Sequence, residues 1–203
     1  NDTDVYVRII DYKTGKKDFN IVKTYYGIDI QLMVYMEAAM KLVAKMRPGK
    51  NVIPAGVFYY NISDPIVSAT TESAEEIEDK IKGELRLKGM VNSDKDIAEK
   101  MDNTEGTSLN IPVSRKADGG FDSRRSKVMN TEQFNMLGRF VDVRAVDTAD
   151  RIAGGDIRRS PYKDGQFSSC DRCPYGAVCG FSVDLPGCNY RKLKKFDDEI
   201  LWI

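Results

Sequence analysis

Val5-Tyr6-Val7-Arg8-Ile9-Ile10 is a β-branched and aromatic run, with aspartates before it and Thr14-Gly15 after it. That pattern predicts a buried strand closing in a turn. From about Tyr26 to Met46 the chain is almost wholly apolar until Arg47-Pro48-Gly49 stops it, which predicts one helix of about 20 residues. Glu37, Lys41 and Lys45 recur there at i, i+4 and i+8, so one narrow charged stripe is expected to meet solvent while the rest is buried. Pro54 to Ile62, centred on Val57-Phe58-Tyr59-Tyr60, predicts a second core strand. Strand, long helix, strand is a βαβ-like unit, which implies a parallel or mixed sheet covered by helices.

Beyond it, Asp64-Pro65 opens a loop. Residues 72–88 set Ile77, Ile81, Leu85 and Leu87 among Glu75, Glu76, Glu78, Lys80 and Lys82, the pattern of an amphipathic surface helix. Residues 111–130 predict a short hairpin around Asp118-Gly119-Gly120, followed by the basic Arg124-Arg125-Ser126-Lys127. Thr131 is the expected cap of a further helix, with Phe134, Leu137, Phe140 and Val141 on one face and an end near Gly154-Gly155. The sequence contains no internal repeat and no low-complexity tract.

Composition changes the picture mainly through what is missing. The 203 residues contain no histidine, which removes Ser-His-Asp and Cys-His catalysis, His-ligated zinc or haem, and any histidine general base. Chemistry must run on carboxylates, Lys, Tyr, Cys or a metal held by them. A hydrophobic content of 41% fits a globular protein rather than a disordered one. The 31 Lys+Arg and 31 Asp+Glu cancel, but the neutral total hides a net −5 over 72–105 and a net +5 over 151–195. No apolar stretch approaches the ~18–20 residues that span a bilayer, so no membrane is expected as a partner. The polar Asn1-Asp2-Thr3-Asp4 has no signal-peptide core and runs straight into a strand, as in a domain cut from a longer protein.

Cys170, Cys173, Cys179 and Cys188 crowd into 19 residues, with none before them. A secreted disulfide fold spreads its cysteines to close loops. This cluster favours a metal or Fe–S site in a reducing compartment, the cytoplasm; free or paired thiols are the alternative.

Asp11 and Lys13 close the first strand, and at i and i+2 they project side by side. A carboxylate beside an ammonium suits metal-dependent phosphodiester hydrolysis, the Asp holding a divalent cation and the Lys steadying the attacking water or the developing charge. The bland alternative is a solvated surface ion pair. In the long helix, Gln31 lies about 120° around from Glu37 and so off the charged stripe, with Tyr35 one turn along on the same face. Such a pair on an apolar helix must find polar partners. Those partners are neighbouring backbone groups, or else the cleft that holds Asp11 and Lys13.

Together, Asp11-Tyr12-Lys13 on a strand and Gln31-x-x-x-Tyr35 on the following helix resemble the PD-(D/E)XK nuclease superfamily, most of all its RecB-like branch. The ending, Gly155-Asp156-Ile157-x-x-x-Pro161-Tyr162 and Cys170-x-x-Cys173-Pro174-Tyr175-x-x-x-Cys179-Gly180-Phe181, resembles the iron–sulfur staple of AddB-like helicase–nuclease subunits. Leu185-Pro186-Gly187 and Tyr190-Arg191-Lys192-Leu193 fit the same ending, so the likeness covers essentially the whole chain.

The resemblance implies an α/β (α+β), restriction-endonuclease-like mixed sheet flanked by helices, with a C-terminal cysteine staple and without its N-terminal strands. It implies a nuclease core over 1–155, with a helical insertion at about 66–130, and a staple with a basic tail over 156–203. It makes Asp11 a Mg²⁺ ligand, with the Tyr12 carbonyl a further one, Lys13 the catalytic lysine, and Gln31 and Tyr35 the site-lining pair. Cys170, Cys173 and Cys179 become three ligands of a 4Fe–4S cluster. The second acidic metal ligand and the fourth cluster cysteine would lie upstream, with Cys188 a substitute or a bystander. Lys16, Lys17, Arg158, Arg159, Arg191 and Lys192 are the expected DNA contacts. The implied partners are single-stranded DNA ends and an AddA-like helicase–nuclease subunit. Two other readings compete: a CRISPR-associated RecB-like exonuclease, against which the long 61–130 segment argues, and a non-catalytic DNA-binding module whose zinc knuckle uses all four cysteines.

Overall fold

The computed structural model describes residues 2–62, 65, 67 and 73–194. Asp64 of the expected loop, Glu72 at the head of the expected surface helix and residues 195–203 of the basic tail lie outside that set. The chain divides into two compact units, Asn1–Val143 and Arg144–Ile203.

In the first unit β1 (Asp4–Lys13) pairs in parallel with β2 (Asn51–Asn61), linked by the short α1 (Ile21–Tyr25) and by α2 (Gln31–Met46). The register shifts between Val7 and Arg8, so that Val7 faces Pro54 and Arg8 faces Gly56. A bulge there accommodates a proline that has no N–H for the ladder. Two further strands complete a four-stranded mixed sheet in the order β1-β2-β3-β4: β3 (Lys88–Asn92), antiparallel to β2, and β4 (Val128–Met129), parallel to β3. The segment expected as a helical insertion thus supplies two sheet strands. Among its described residues only α3 (Ala74–Leu85) and α4 (Lys95–Met101) are helical. The surface helix ends at Leu85 rather than continuing to 88, because Gly89 and the apolar Met90-Val91 leave the helical period for a short buried strand.

The expected helix from Tyr26 is broken. Asn20 caps α1 by accepting from the Lys23 amide at 2.9 Å, and Gly27 (φ +76°) ends it. The Gly27 amide donates to Thr24 O at 3.0 Å and the Ile28 amide to Lys23 O at 2.9 Å, a glycine-terminated helix end. The charged stripe of α2 also differs from expectation. Glu37 is tucked against Gly138 of α5 (Thr131–Ala153), where an added Cβ would overlap its carboxylate, and Lys41 reaches Asp142. Lys41 and Lys45 are exposed as expected, while Glu37 is half-buried, and Tyr35, Ala38, Leu42 and Met46 face solvent as well. Burial, reinforced by Asp142, raises the Glu37 carboxyl pKa.

Helix α5 is capped by Asn130 rather than Thr131. Asn130 Oδ1 accepts from the Gln133 amide at 2.8 Å, and Gln133 Oε1 accepts from the Asn130 amide at 2.9 Å. The Thr131 hydroxyl instead accepts from Asn92 Nδ2, which also donates to Pro54 O at 2.7 Å. The helix buries Phe134, Leu137, Gly138 and Val141 and ends at Gly154-Gly155, where Gly155 has φ +74°.

On the sheet face bearing Phe58, a core of Phe58, Val91, Ala98, Ile111 and Val113 closes over the 102–127 segment. The expected hairpin is there reduced to a tight turn at Asp118-Gly119-Gly120 and single bridges at Thr107–Ser114 and Arg115–Phe121. Asp102 organises this segment by accepting from the Thr104 amide (2.7 Å), Ser108 Oγ (2.7 Å) and Asn110 Nδ2 (2.8 Å). Burial alone would raise its pKa, but these donors pull it down to about 2. A carboxyl lowered on folding stabilises the protein above its unfolded value near 3.8, and this contribution is lost as pH falls towards about 2. Asp102→Ala, which orphans the Ser108 and Asn110 donors, is expected to lower unfolding free energy by about 2 kcal/mol. Urea melts at pH 7 check this, and the difference from wild type should shrink between pH 4 and pH 2. An equal difference at both ends would reject the assignment.

The second unit holds the C-terminal end of α5, a small sheet in the order β6 (Phe167–Ser168), β5 (Tyr162–Asp164), β7 (Arg191–Lys192), and the single turn α6 (Gly176–Cys179). No helix among the described residues is long and apolar enough to cross a membrane.

Candidate active site

Side chains alternate along a strand, so Asp11 and Lys13 leave β1 on one face, in register with Tyr59 and Asn61 of β2. Helix α2 covers that face. Lys13 Nζ lies 2.7 Å from Asp11 Oδ2 and donates to Gln31 Oε1 at 2.8 Å. Gln31 Nε2 in turn donates to the Tyr35 hydroxyl at 2.9 Å. Four side chains from one strand end and one helix turn thus form a continuous polar chain, Asp11–Lys13–Gln31–Tyr35. The break after α1 makes this possible by placing Gln31 in the first turn of α2. Tyr35 reaches the chain from the exposed side of its helix, not from a buried face.

A second ion pair flanks the first. Lys17 Nζ meets Asp29 Oδ1 at 2.5 Å, while the Lys17 backbone is clamped by Asn61, which accepts from its amide at 3.0 Å and donates to its carbonyl at 3.2 Å. Between the two lysines lies the ring of Tyr59, 1% exposed, with Lys13 Nζ 5.5 Å and Lys17 Nζ 5.8 Å from its centroid. Both ammoniums are within cation–π range. Burial pushes the Tyr59 hydroxyl pKa up to about 12, helped by the charges of Asp29 and Asp11, so the phenol stays protonated and cannot serve as a base near neutrality.

Asp11 Oδ2 is the one buried side-chain oxygen or nitrogen among the described residues without an aligned hydrogen-bond donor, despite its nearness to Lys13. Coulombic attraction holds that ammonium close, but its aligned bond runs to Gln31. A carboxylate oxygen that faces only a poorly aligned ammonium is the kind of donor a hard divalent cation takes. No set of three Cys, Asp or Glu groups among the described residues converges to metal distance.

The other expected site residues are scattered. The Tyr12 ring projects to the opposite face, edge-on to Tyr60 at 5.6 Å. Lys16 is exposed beyond the strand end. In the second unit Arg158 pairs with Asp156 at 2.6 Å, Arg159 donates to the carbonyls of Cys179 (3.2 Å) and Gly180 (3.0 Å), and Arg191 donates to Ser160 O at 3.0 Å. These three arginines brace their own unit, while Lys192 is exposed. Cys170, Cys173, Cys179 and Cys188 are free thiols, the first two sharing a turn closed by the Cys173 amide on Cys170 O at 3.1 Å. Their donor chemistry suits iron or zinc, but no three of them converge.

Asp29 and Tyr59 carry no signal of this role in the sequence. Asp29 lies two residues before Gln31, and Tyr59 stands level with Asp11 once the parallel register is known. Within the sequence, Tyr59 reads only as part of an apolar strand.

A parallel β1–β2 pair carrying a D-x-K, faced by Q-x-x-x-Y on the helix between, defines the class. The sequence matches the PD-(D/E)XK nuclease superfamily over residues 1–180, and the chain belongs to that family. It is similar to proteins named as the B-type subunits of ATP-dependent helicase/deoxyribonucleases. With that of Thermoanaerobacter sp. (strain X514) it shares 36% identity over 97% of this chain and 17% of the relative. With that of Clostridium acetobutylicum the identity is 37% over 99% and 17%, and with that of Caldanaerobacter subterraneus subsp. tengcongensis 38% over 98% and 17%. The chain thus spans about one sixth of the length of these relatives.

Proposed function

We propose that this chain is part of the nuclease domain of an AddB-like subunit, and that the intact subunit, not the isolated chain, hydrolyses phosphodiesters of single-stranded DNA ends with Mg²⁺ beside an AddA-like partner, in cytoplasmic break repair and recombination. The observation that carries this reading is the polar chain Asp11–Lys13–Gln31–Tyr35 on the nuclease-family strand and helix. Asp11, with the Tyr12 carbonyl, would hold the metal, which supplies Lewis-acid polarisation of the phosphate and a more acidic water. Gln31 fixes the Lys13 ammonium beside Asp11, and Tyr35 fixes Gln31. Lys13 is therefore already in place, without reorganisation, to neutralise charge as it develops on phosphorus. Tyr59, protonated and buried, excludes water beneath the two lysines.

Gln31→Ala releases Lys13 from its anchor and is expected to slow cleavage about tenfold or more, since a small displacement of a positioned group is costly. Degradation of end-labelled single strands by the whole subunit, with Mg²⁺ or with EDTA, tests the reading. Cutting that persists in EDTA would reject it.

For the cysteine unit, we infer a 4Fe–4S cluster on Cys170, Cys173 and Cys179, completed by a thiol from elsewhere. The spacing and the soft donor set support this, and the thiols must draw together to bind it. Such binding contributes directly to folding. Anaerobically purified whole subunit should contain iron and sulfide, lost in Cys179→Ser and kept in Cys188→Ser. Loss in the Cys188 variant would make that residue a ligand.

A further inference from the structure

A cleft of about 720 Å³ opens beside the end of β1, and its walls come from segments far apart in sequence. Lys16 and Lys17 follow β1, Arg86 and Lys88 lead into and begin β3, and Arg125 and Lys127 precede β4. Among the described lining residues two carboxylates, Asp18 and Glu84, stand against these six cations. Asp18 is committed to Lys127 at 2.6 Å. Arg86 is partly committed as well, donating from Nε to Ile111 O (2.8 Å) and from Nη2 to Val113 O (3.0 Å), and this fixes the cleft wall. Among the described residues Lys16 and Lys88 meet no carboxylate within ion-pair distance, and Arg125 has only a loose approach to Asp122 at 4.0 Å. Lys88 is held half-buried on the sheet in that state. Gathering like charges around one concavity is unfavourable without an anionic occupant.

The sheet register ties the cleft to the active site. Asp11 is level with Tyr59, and Tyr59 with Lys88, so the three side chains form one row across β1, β2 and β3 on a single face. Lys88 therefore stands on the same sheet face as Asp11, one strand beyond the buried Tyr59. Among the described residues the lining contains no aromatic ring, the stacking platform on which bases are held. Its chemistry addresses backbone, not base.

We propose that Lys16, Lys88 and Arg125 grip the sugar–phosphate backbone of a single DNA strand and lead it to Asp11 and Lys13, independently of base sequence. This rests on the nuclease reading and extends it to a second, non-catalytic binding site. Binding of fluorescent oligo(dT) in EDTA, followed by anisotropy against salt concentration, tests it. Each phosphate contact on a single strand contributes about 0.7 to the slope of log K against log salt. Lys88→Gln with Arg125→Gln should flatten that slope by about 1.4 and so weaken binding about 25-fold near 0.1 M salt. Lys88→Arg should keep both. Because Lys88 is half-buried, the exposed pair Lys16→Gln with Arg125→Gln repeats the measurement without touching the sheet. An unchanged slope in both double variants overturns the proposal, as does a loss seen only with blunt duplex. Lys13→Ala, assayed separately for cleavage, tests the catalytic reading alone. If it cuts normally while the cleft variants bind weakly, the active site is misassigned and the cleft stands.

Discussion

Lys13→Ala should lower Mg²⁺-dependent cleavage of single-stranded DNA by roughly 10²–10³-fold, about 2.7–4 kcal/mol of transition-state stabilisation, the range for removing one preorganised charge-stabilising donor. The geometry gives Lys13 two duties, facing Asp11 Oδ2 at 2.7 Å and anchored by Gln31 at 2.8 Å. Alanine removes the charge and leaves Gln31 without its strand-side partner. Folding should survive, since β1 and β2 remain hydrogen-bonded along the whole register and Tyr59, though it loses the Lys13 contact, keeps that of Lys17. Rate at saturating DNA, measured on the whole subunit alongside the unfolding midpoint, separates the two effects. Wild-type turnover in the folded variant would remove Lys13 from the mechanism. Any helicase activity of the same preparation should be untouched, because the substitution lies inside the nuclease unit.

Gly89→Ala is expected to destabilise the protein by about 3 kcal/mol, at the upper end for forced overpacking. A Cβ at Gly89 would sit 1.9 Å from Val57 O and 2.9 Å from Phe58 Cα. These are backbone atoms of the neighbouring strand, so no side-chain rotation relieves the overlap and β2 and β3 must part. The contrast is Gly138, where the clash is with the Glu37 carboxylate at 1.8 Å, the far end of a side chain that can swing away. Gly138→Ala should therefore cost clearly less. Thermal or urea unfolding of the two variants ranks them, and equal effects would contradict the strand-contact argument. Because Gly89 is next to Lys88, the same substitution should also weaken oligo(dT) binding.

The fold and the centre of the site were legible in sequence where the signal is local. Strands β1 and β2 announce themselves as short β-branched and aromatic runs, and the helix between them as an apolar run. The i, i+2 spacing puts Asp11 beside Lys13, and the i, i+4 spacing puts Gln31 beside Tyr35, whatever the rest of the chain does. These periodicities are properties of the backbone, so the sequence by itself determines them. The absence of histidine likewise excludes whole classes of chemistry without any structure.

Only the tertiary structure decided what depends on neighbours distant in the chain. Glu37 looks like a solvent residue until Gly138 of α5 offers a gap for it, and the apolar Leu42 and Met46 look buried, yet among the described residues both are exposed. Strand β3 is five residues long, too short for its period to stand out beside the charged helix that precedes it. Tyr59 and Asp29 join the site through strand register and a glycine-ended helix turn, neither of which has a spacing signature. The basic cleft draws Arg86 and Lys88 out of a region whose net charge is −5. Charge summed along a chain says nothing about which side chains meet, because Coulombic interaction falls with distance through space and is screened within about 10 Å in salt.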